Sequence, residues 1–205
     1  MLKAALGAFL LFSAIGYADP IGPNCGSCFG VIYTLTDLGP GGGGTDELIQ
    51  LTLDTSGYNG AGTLLDAVSI KVASSATAVG TSVGVTNWST QLGGLNANGC
   101  DGSGSGFVCA QANTLGDALG VPHTGLYTFS FDVTPGSALL TGNLAASVKA
   151  LYVDDKGKQA GITSEGITLQ SPVPEPSSVA VSFLFAGLLL GAARLKAARS
   201  AKSPV

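Results

Sequence analysis

Four cysteines in two close pairs are the residues of this sequence with the clearest chemistry. Cys25 and Cys28 lie in a Cys-Gly-Ser-Cys run, and Cys100 and Cys109 flank a glycine-rich stretch that contains Asp101. Cysteines of an oxidising compartment usually form disulfides, and four cysteines allow three pairings. We expect the local pairing, 25 with 28 and 100 with 109. The second bond would close a short loop and stabilise the fold by about 2–3 kcal/mol.

Two sharper uses of these cysteines are weighed against disulfides. A redox Cys-x-x-Cys requires a helix N-terminus that lowers a thiol pKa, whereas the residues from Phe29 onward have the pattern of a strand. A four-cysteine zinc site requires a second close pair, and eight residues separate Cys100 from Cys109. Both uses fit the sequence less well than two structural disulfides.

Side chains for acid, base or nucleophilic catalysis are few. His123 is the single histidine and follows Pro122, and no Gly-x-Ser-x-Gly elbow accompanies it, so we expect a surface loop residue. Two acids could meet across a sheet face for glycoside hydrolysis, or they could be solvated turn acids. The candidates are Asp132, Asp154, Asp155 and Glu165. We expect no catalytic role.

The glycine-rich stretches predict loops and no cofactor. Residues 40–44 lack the Gly-Lys-Ser/Thr ending of a phosphate loop, and residues 102–106 lack the strand-turn-helix context of a dinucleotide site. Residues 96–102 lack the spacing of a calcium loop, although weak calcium binding by another loop geometry remains open.

Aromatic side chains offer a platform on which a sugar could stack, if they are exposed. The four candidates are Trp88, Tyr33, Tyr58 and Tyr152. The alternative is that they form part of the core. Thr34 and Thr36 are a pair of the kind that an ice-binding face repeats, but the sequence does not repeat it.

The charge distribution excludes one class of partner. All 13 acidic residues lie between Asp19 and Glu175, against four basic ones, Lys71, Lys149, Lys156 and Lys158, so this segment has a net charge of −9. An acidic surface repels phosphates and lacks the cations that release counterions. We therefore expect no nucleic acid partner.

Short runs with period-two alternation predict strands at residues 29–38, 47–54, 67–73, 127–134, 147–153 and 161–169. Residues 154–158 predict a hairpin turn with Gly157 at positive φ, and residues 115–119 one helical turn. Many short strands without long helices indicate a mainly β protein. We predict one antiparallel β-sandwich, jelly-roll-like, over residues 19–171.

The first 18 residues resemble a secretory signal peptide. Lys3 precedes an apolar run over residues 4–15, and Gly16 and Ala18 occupy the −3 and −1 positions of a cleavage site after Ala18. A buried first helix is the alternative. The polar, proline-containing residues 19–24 that follow favour the signal peptide.

The C-terminal segment has three parts. Two prolines around Glu175 keep the backbone extended, Ser177 and Ser178 can cap a helix, and residues 179–193 carry no charge. As a helix this stretch spans roughly 22 Å, short for a bilayer core of about 30 Å unless flanking side chains snorkel. The basic residues that should stay cytoplasmic, ahead of an end at residues 201–205, are Arg194, Lys196, Arg199 and Lys202.

A plain single-span anchor and a buried core helix compete with a sorting tail for this segment, and a short motif favours the tail. The motif consists of Val173, Pro174, Glu175 and Pro176. With the apolar stretch and the basic end, it makes residues 172–200 closely resemble the PEP-CTERM sorting signal. Such tails are also labelled as the C-terminal domain of some ice-binding proteins.

The resemblance implies processing by exosortase, an integral-membrane cysteine transpeptidase thought to cut near Pro-Glu-Pro and pass the exported part to the cell surface or extracellular polymer. It implies a bacterial precursor anchored in the inner membrane, then a surface or biofilm-matrix location linked to exopolysaccharide. We expect a non-catalytic structural or adhesive role. The alternatives are a carbohydrate-binding module on a membrane anchor and, third, a secreted hydrolase.

Overall fold

The alternating segments of the sequence form two sheets in the computed structural model, which describes residues 21, 25–42, 44–80 and 84–171. The predicted signal peptide, the Pro-Glu-Pro motif, the apolar stretch and the basic end lie outside these residues. The strands, in chain order, are β1 (Ile32–Pro40), β2 (Glu47–Asp54), β3 (Leu64–Lys71), β4 (Ala76–Val79), β5 (Trp88–Leu92), β6 (Leu95–Asn96), β7 (Gly99–Cys100), β8 (Phe107–Ala112), β9 (Leu119–Gly120), β10 (Leu126–Pro135), β11 (Ala146–Val153), β12 (Gln159–Ile167) and β13 (Leu169–Gln170).

The two sheets are almost wholly antiparallel. The first has the strand order β13-β1-β2-β10-β4, and the second has the order β12-β11-β3-β8-β5, with β9 beside β3. The pairing of β1 with β13 is parallel and two residues long. The prediction of a mainly β, antiparallel sandwich is thus confirmed, with this one parallel pair as an addition.

Alternate residues of both sheets point into a shared core. From the first sheet it contains Leu35, Leu51 and Phe129, and from the second Val68 and Val148, all fully buried. Trp88 of β5 packs across the gap on Phe129 of β10, with ring centroids 5.1 Å apart. Burial of apolar area at about 25 cal/mol per Å² is what holds two such sheets face to face.

A polar chain crosses the same core. Tyr152 on β11 donates its hydroxyl proton to the hydroxyl oxygen of Tyr33 on β1 over 2.6 Å, and Tyr33 donates to Thr163 Oγ1 over 3.1 Å. Thr163 in turn donates to the carbonyl oxygen of Ser27 over 3.1 Å. Burial raises the pKa of Tyr33 to about 12. Each of these three side-chain hydroxyls thus has a partner, which offsets the penalty of burying it.

The strand predictions were accurate where alternation is regular. The predicted strand at residues 47–54 has the same first and last residues as β2, and the predicted turn at residues 154–158 forms with Gly157 at φ +78°. The predicted strand 29–38 starts late, because Phe29 and Gly30 turn the chain at φ 51° and 78°. The predicted strand 161–169 is two strands, since the chain leaves β12 at Thr168 and enters the other sheet as β13. The helical turn is a 3-10 turn at Leu115–Asp117.

Removing hydroxyls from the polar chain should cost stability in a fixed order. Tyr33→Phe deletes two hydrogen bonds and leaves the buried Tyr152 hydroxyl without an acceptor. Tyr152→Phe deletes only one bond, at the end of the series. We expect losses of about 2–3 and about 1 kcal/mol, respectively, because an unsatisfied buried group costs more than a lost bond. Urea unfolding monitored by circular dichroism measures both losses. Equal losses would contradict the proposed order of hydrogen bonds from Tyr152 through Tyr33 to Thr163.

Candidate functional site

A pocket of about 460 Å³ lies on the outer face of the second sheet. One wall is the β11–β12 hairpin. The other is an excursion of the chain between β5 and β8, residues 93–106, which contains the β6–β7 hairpin and which we call the flap. The lining residues are Asp66, Ala97, Asn98, Leu151, Val153, Gly157, Lys158 and Gln159. The size falls within the roughly 300–1,000 Å³ of small-molecule sites.

The flap is fixed to the sheet at several points. The Cys100–Cys109 disulfide joins it to β8. Lys149 Nζ lies 3.5 Å from the carbonyl oxygen of Leu95 and 4.8 Å from the ring centroid of Phe107. Beneath it a second apolar cluster forms around Ala67, Leu95, Cys109, Leu151 and Val153. The central strands are therefore buried on both faces.

A β-bulge places Asp66 in the pocket. Leu151 and Tyr152 of β11 are neighbours, but they pair with Ala67 and Leu65 of β3, so Asp66 is the extra residue. A bulge of this kind re-aims a side chain and is common beside functional sites. Here it gives a carboxylate to a strand whose other central residues are apolar or small.

Gln111 links the carboxylate to the flap. Its Nε2 donates to Asp66 Oδ2 over 3.0 Å, and its Oε1 accepts from the backbone N–H of Cys100 over 2.9 Å. The two bonds fix which end of the amide faces Asp66. Gly99 lies directly against Gln111 at φ +104°, where a Cβ would collide with the amide. Glycine at this position lets the flap approach β8.

The electrostatics of Asp66 follow from this placement. Burial raises the pKa of its carboxyl group, and the bond from Gln111 opposes the rise in part. The lining residues Asn98, Lys158 and Gln159 are exposed at the rim, whereas Leu151 and Val153 are buried at the floor. The pocket thus combines an apolar floor, one half-buried carboxylate and a rim of mixed donors and acceptors.

Both predicted disulfides are confirmed. Cys25 pairs with Cys28 and Cys100 with Cys109, and the Cα atoms are 5.3 and 5.8 Å apart. No free cysteine occurs in the chain. Disulfides of this kind are typical of an oxidising, extracytoplasmic compartment.

The four aromatic candidates form part of the core, so their interpretation as an exposed platform for a sugar is wrong. Tyr33 and Tyr152 are fully buried, and Tyr58 and Trp88 are 8% exposed. Tyr58 packs on Tyr152 with ring centroids 4.6 Å apart, and the indole N–H of Trp88 donates to the carbonyl oxygen of Asp117 over 2.9 Å. All four side chains stabilise the core, because burial removes their large apolar ring surfaces from water.

Two of the four acidic candidates, Asp154 and Glu165, have hydrogen-bond partners nearby. Asp154 accepts from the backbone N–H groups of Lys156 and Lys158 at the hairpin turn, over 2.9 and 2.8 Å. Glu165 accepts from Ser27 Oγ, and Asp155 is exposed in the turn. Asp132 Oδ1 is buried against Gly41, without a hydrogen-bond partner in the described part of the chain.

The remaining candidates, His123 and Asp101, lie in exposed loops. His123 is exposed and its ring stacks on Tyr127, with centroids 4.8 Å apart. Asp101 accepts from the N–H and hydroxyl of Ser103, over 2.9 and 2.6 Å, and from the Asn96 amide. Among the described residues, no group of three or more His, Cys, Asp or Glu side chains is placed to hold a metal.

Sequence reasoning gave the disulfide that fixes the flap but missed Asp66 and Gln111. The available signal was the carboxylate inside the apolar run Leu-Leu-Asp-Ala-Val at residues 64–68. A charged residue at that point conflicts with a buried strand, and such conflicts mark bulges and sites. Gln111 gave no signal, since its role depends on the pairing of β3 with β8.

No protein-family model matches this chain, and no curated protein does. Within the residues that the structure describes, no helix has the length and apolar character needed to cross a membrane.

Asp66 should make stability depend on pH. Its folded-state pKa is raised, so its contribution to stability is present below the unfolded value, about 3.9, and is lost as pH rises through the folded value. Asp66→Asn keeps an acceptor for Gln111 and removes the buried charge. We expect its unfolding temperature, relative to wild type, to increase as pH rises above about 4.

Differential scanning calorimetry across this pH range checks the prediction. Asn98→Ala changes the same pocket without removing an ionisable group, so its difference from wild type should stay constant with pH. A flat or falling difference for Asp66→Asn would show that the carboxylate is not desolvated in the folded protein.

Proposed function

We propose that this chain is an exported bacterial surface or matrix protein with a non-catalytic structural or adhesive role. The observation that carries the proposal is the pair of local disulfides in a β-sandwich. A protein that folds with two disulfides depends on an oxidising compartment, and the predicted cleavage after Ala18 supplies the route to it. We also propose a jelly-roll-like path for the sandwich, because the chain crosses repeatedly between its sheets.

The tail supplies the destination. Its Val173–Pro176 motif, apolar stretch and basic end resemble the signal that exosortase-type transpeptidases process. In this proposal the precursor is held in the inner membrane by residues 179–193, and the part ahead of the motif then passes to the cell surface or extracellular matrix. Extracellular polysaccharide is the proposed environment.

The acidic groups support a binding or structural role over hydrolysis. Asp154 and Glu165, two of the carboxylates considered for glycoside hydrolysis, are each engaged by neighbouring backbone or hydroxyl donors. The described residues include 11 acidic side chains and four lysines, a surface that disfavours nucleic acid. The second candidate is a carbohydrate-binding module. The pocket between the flap and the β11–β12 hairpin favours it, whereas the four aromatic side chains do not, because they are buried.

Fractionation of native cells tests the proposal. We expect a surface form that begins at Asp19, ends near Glu175 and has no thiol available for alkylation. Without the exosortase, or with Pro174, Glu175 and Pro176 all replaced by alanine, the protein should stay in the membrane fraction with its basic end. Intact mass spectrometry distinguishes the forms.

Pro172→Ala, one residue outside the motif, is the matched control and should be processed normally. An unclipped, membrane-held form in every strain would contradict sorting and make the tail a simple anchor. Four free thiols in the native protein would contradict export.

A further inference from the structure

The pocket under the flap has the composition of a site for a neutral, hydroxyl-rich ligand. Leu151 and Val153 lie at its floor, but their side chains are only 1% and 2% exposed, so they close the pocket from below and offer no face on which a ring could pack. A ligand would be held by the polar groups around this floor, which also fix its orientation.

The polar groups around the floor match ring hydroxyls. Asp66 Oδ2 accepts from Gln111, and in the described part of the chain Oδ1 accepts no hydrogen bond. The amides of Asn98 and Gln159 each offer donors and an acceptor, and Lys158 offers donors only. A hydroxyl both donates and accepts, so vicinal hydroxyls can satisfy this mixed set.

The site is set in place before any ligand arrives. The bulge fixes the backbone of Asp66, and Gln111 holds its carboxylate against the flap. Asp66 is half-buried, and this burial raises the pKa of its carboxyl group. Hydrogen bonds to an ionised acceptor in such surroundings are shorter and stronger than those in water.

Charge disfavours other small ligands. The lining residues carry one carboxylate and one ammonium, so the lining itself gives neither a phosphate nor a free cation a net attraction. Asp66 would repel an anion, and a calcium ion needs six to eight oxygen ligands, more than one carboxylate and two amides supply. The pocket is open to solvent at its rim, where Asn98, Lys158 and Gln159 are exposed.

We propose that this pocket binds one sugar unit of a glycan, with Asp66 and Asn98 as hydrogen-bonding partners of its hydroxyls. This deepens the adhesive role and rests on the proposed function only in placing the pocket outside the cell. Binding by the purified protein is independent of sorting, so failure of either can be told from failure of the other.

The experiment is a titration of the 15N-labelled full-length protein, held in a detergent without a sugar head group. The probes are the neutral sugars glucose, galactose, mannose and N-acetylglucosamine, with calcium chloride and sodium phosphate as separate arms. We expect at least one sugar to give saturable shifts in the amide signals of residues 97–99 and 157–159. Asp66→Ala should weaken binding at least tenfold, because it removes a charged hydrogen-bond acceptor.

Asp155→Asn, in the same hairpin turn but outside the pocket, is the matched control and should bind as wild type does. Asn98→Ala, at the exposed rim, should weaken binding severalfold and serves if Asp66→Ala does not fold. The proposal is overturned if no sugar shifts these amides, if only calcium or phosphate does, or if the pocket variants bind as tightly as wild type.

Discussion

Burial of the central strands of the second sheet on both faces is the constraint on which the rest of this structure depends. Inward residues of β3, β8 and β11 meet the first sheet, while outward Ala67, Cys109 and Leu151 need another cover. The flap supplies it. Because the flap is short and glycine-rich, its apolar contacts are few, and the Cys100–Cys109 bond fixes it by restricting the unfolded chain.

The pocket is a consequence of that cover. Where the flap ends, the bulge in β3 presents Asp66 beside the rim of the β11–β12 hairpin. Gln111 connects the two layers, since one end of its amide binds the flap and the other binds Asp66. The same bonds that close the outer face therefore orient the carboxylate, so structure and proposed binding share one set of contacts.

The sequence predicted the strands that show regular alternation better than those that do not. β2 matches its prediction at both ends because one face is apolar and the other polar. β8 was missed, because Phe-Val-Cys-Ala-Gln-Ala is buried on both sides and shows no alternation. The four aromatic residues were open to two interpretations, since periodicity does not tell an exposed ring from a buried one. Asp66 and Gln111 meet only through strand pairing, which no local pattern encodes.

Amide hydrogen exchange of the full-length protein, wild type against Cys100→Ala/Cys109→Ala, tests the doubly covered sheet most directly. The double variant should lose protection throughout residues 93–106 and at the outer edge of the pocket, while β1, β2 and β10 keep theirs. Removal of the other disulfide in Cys25→Ala/Cys28→Ala should leave flap protection unchanged. Equal flap exchange in wild type and Cys100→Ala/Cys109→Ala would mean that the disulfide does not hold the flap on the sheet.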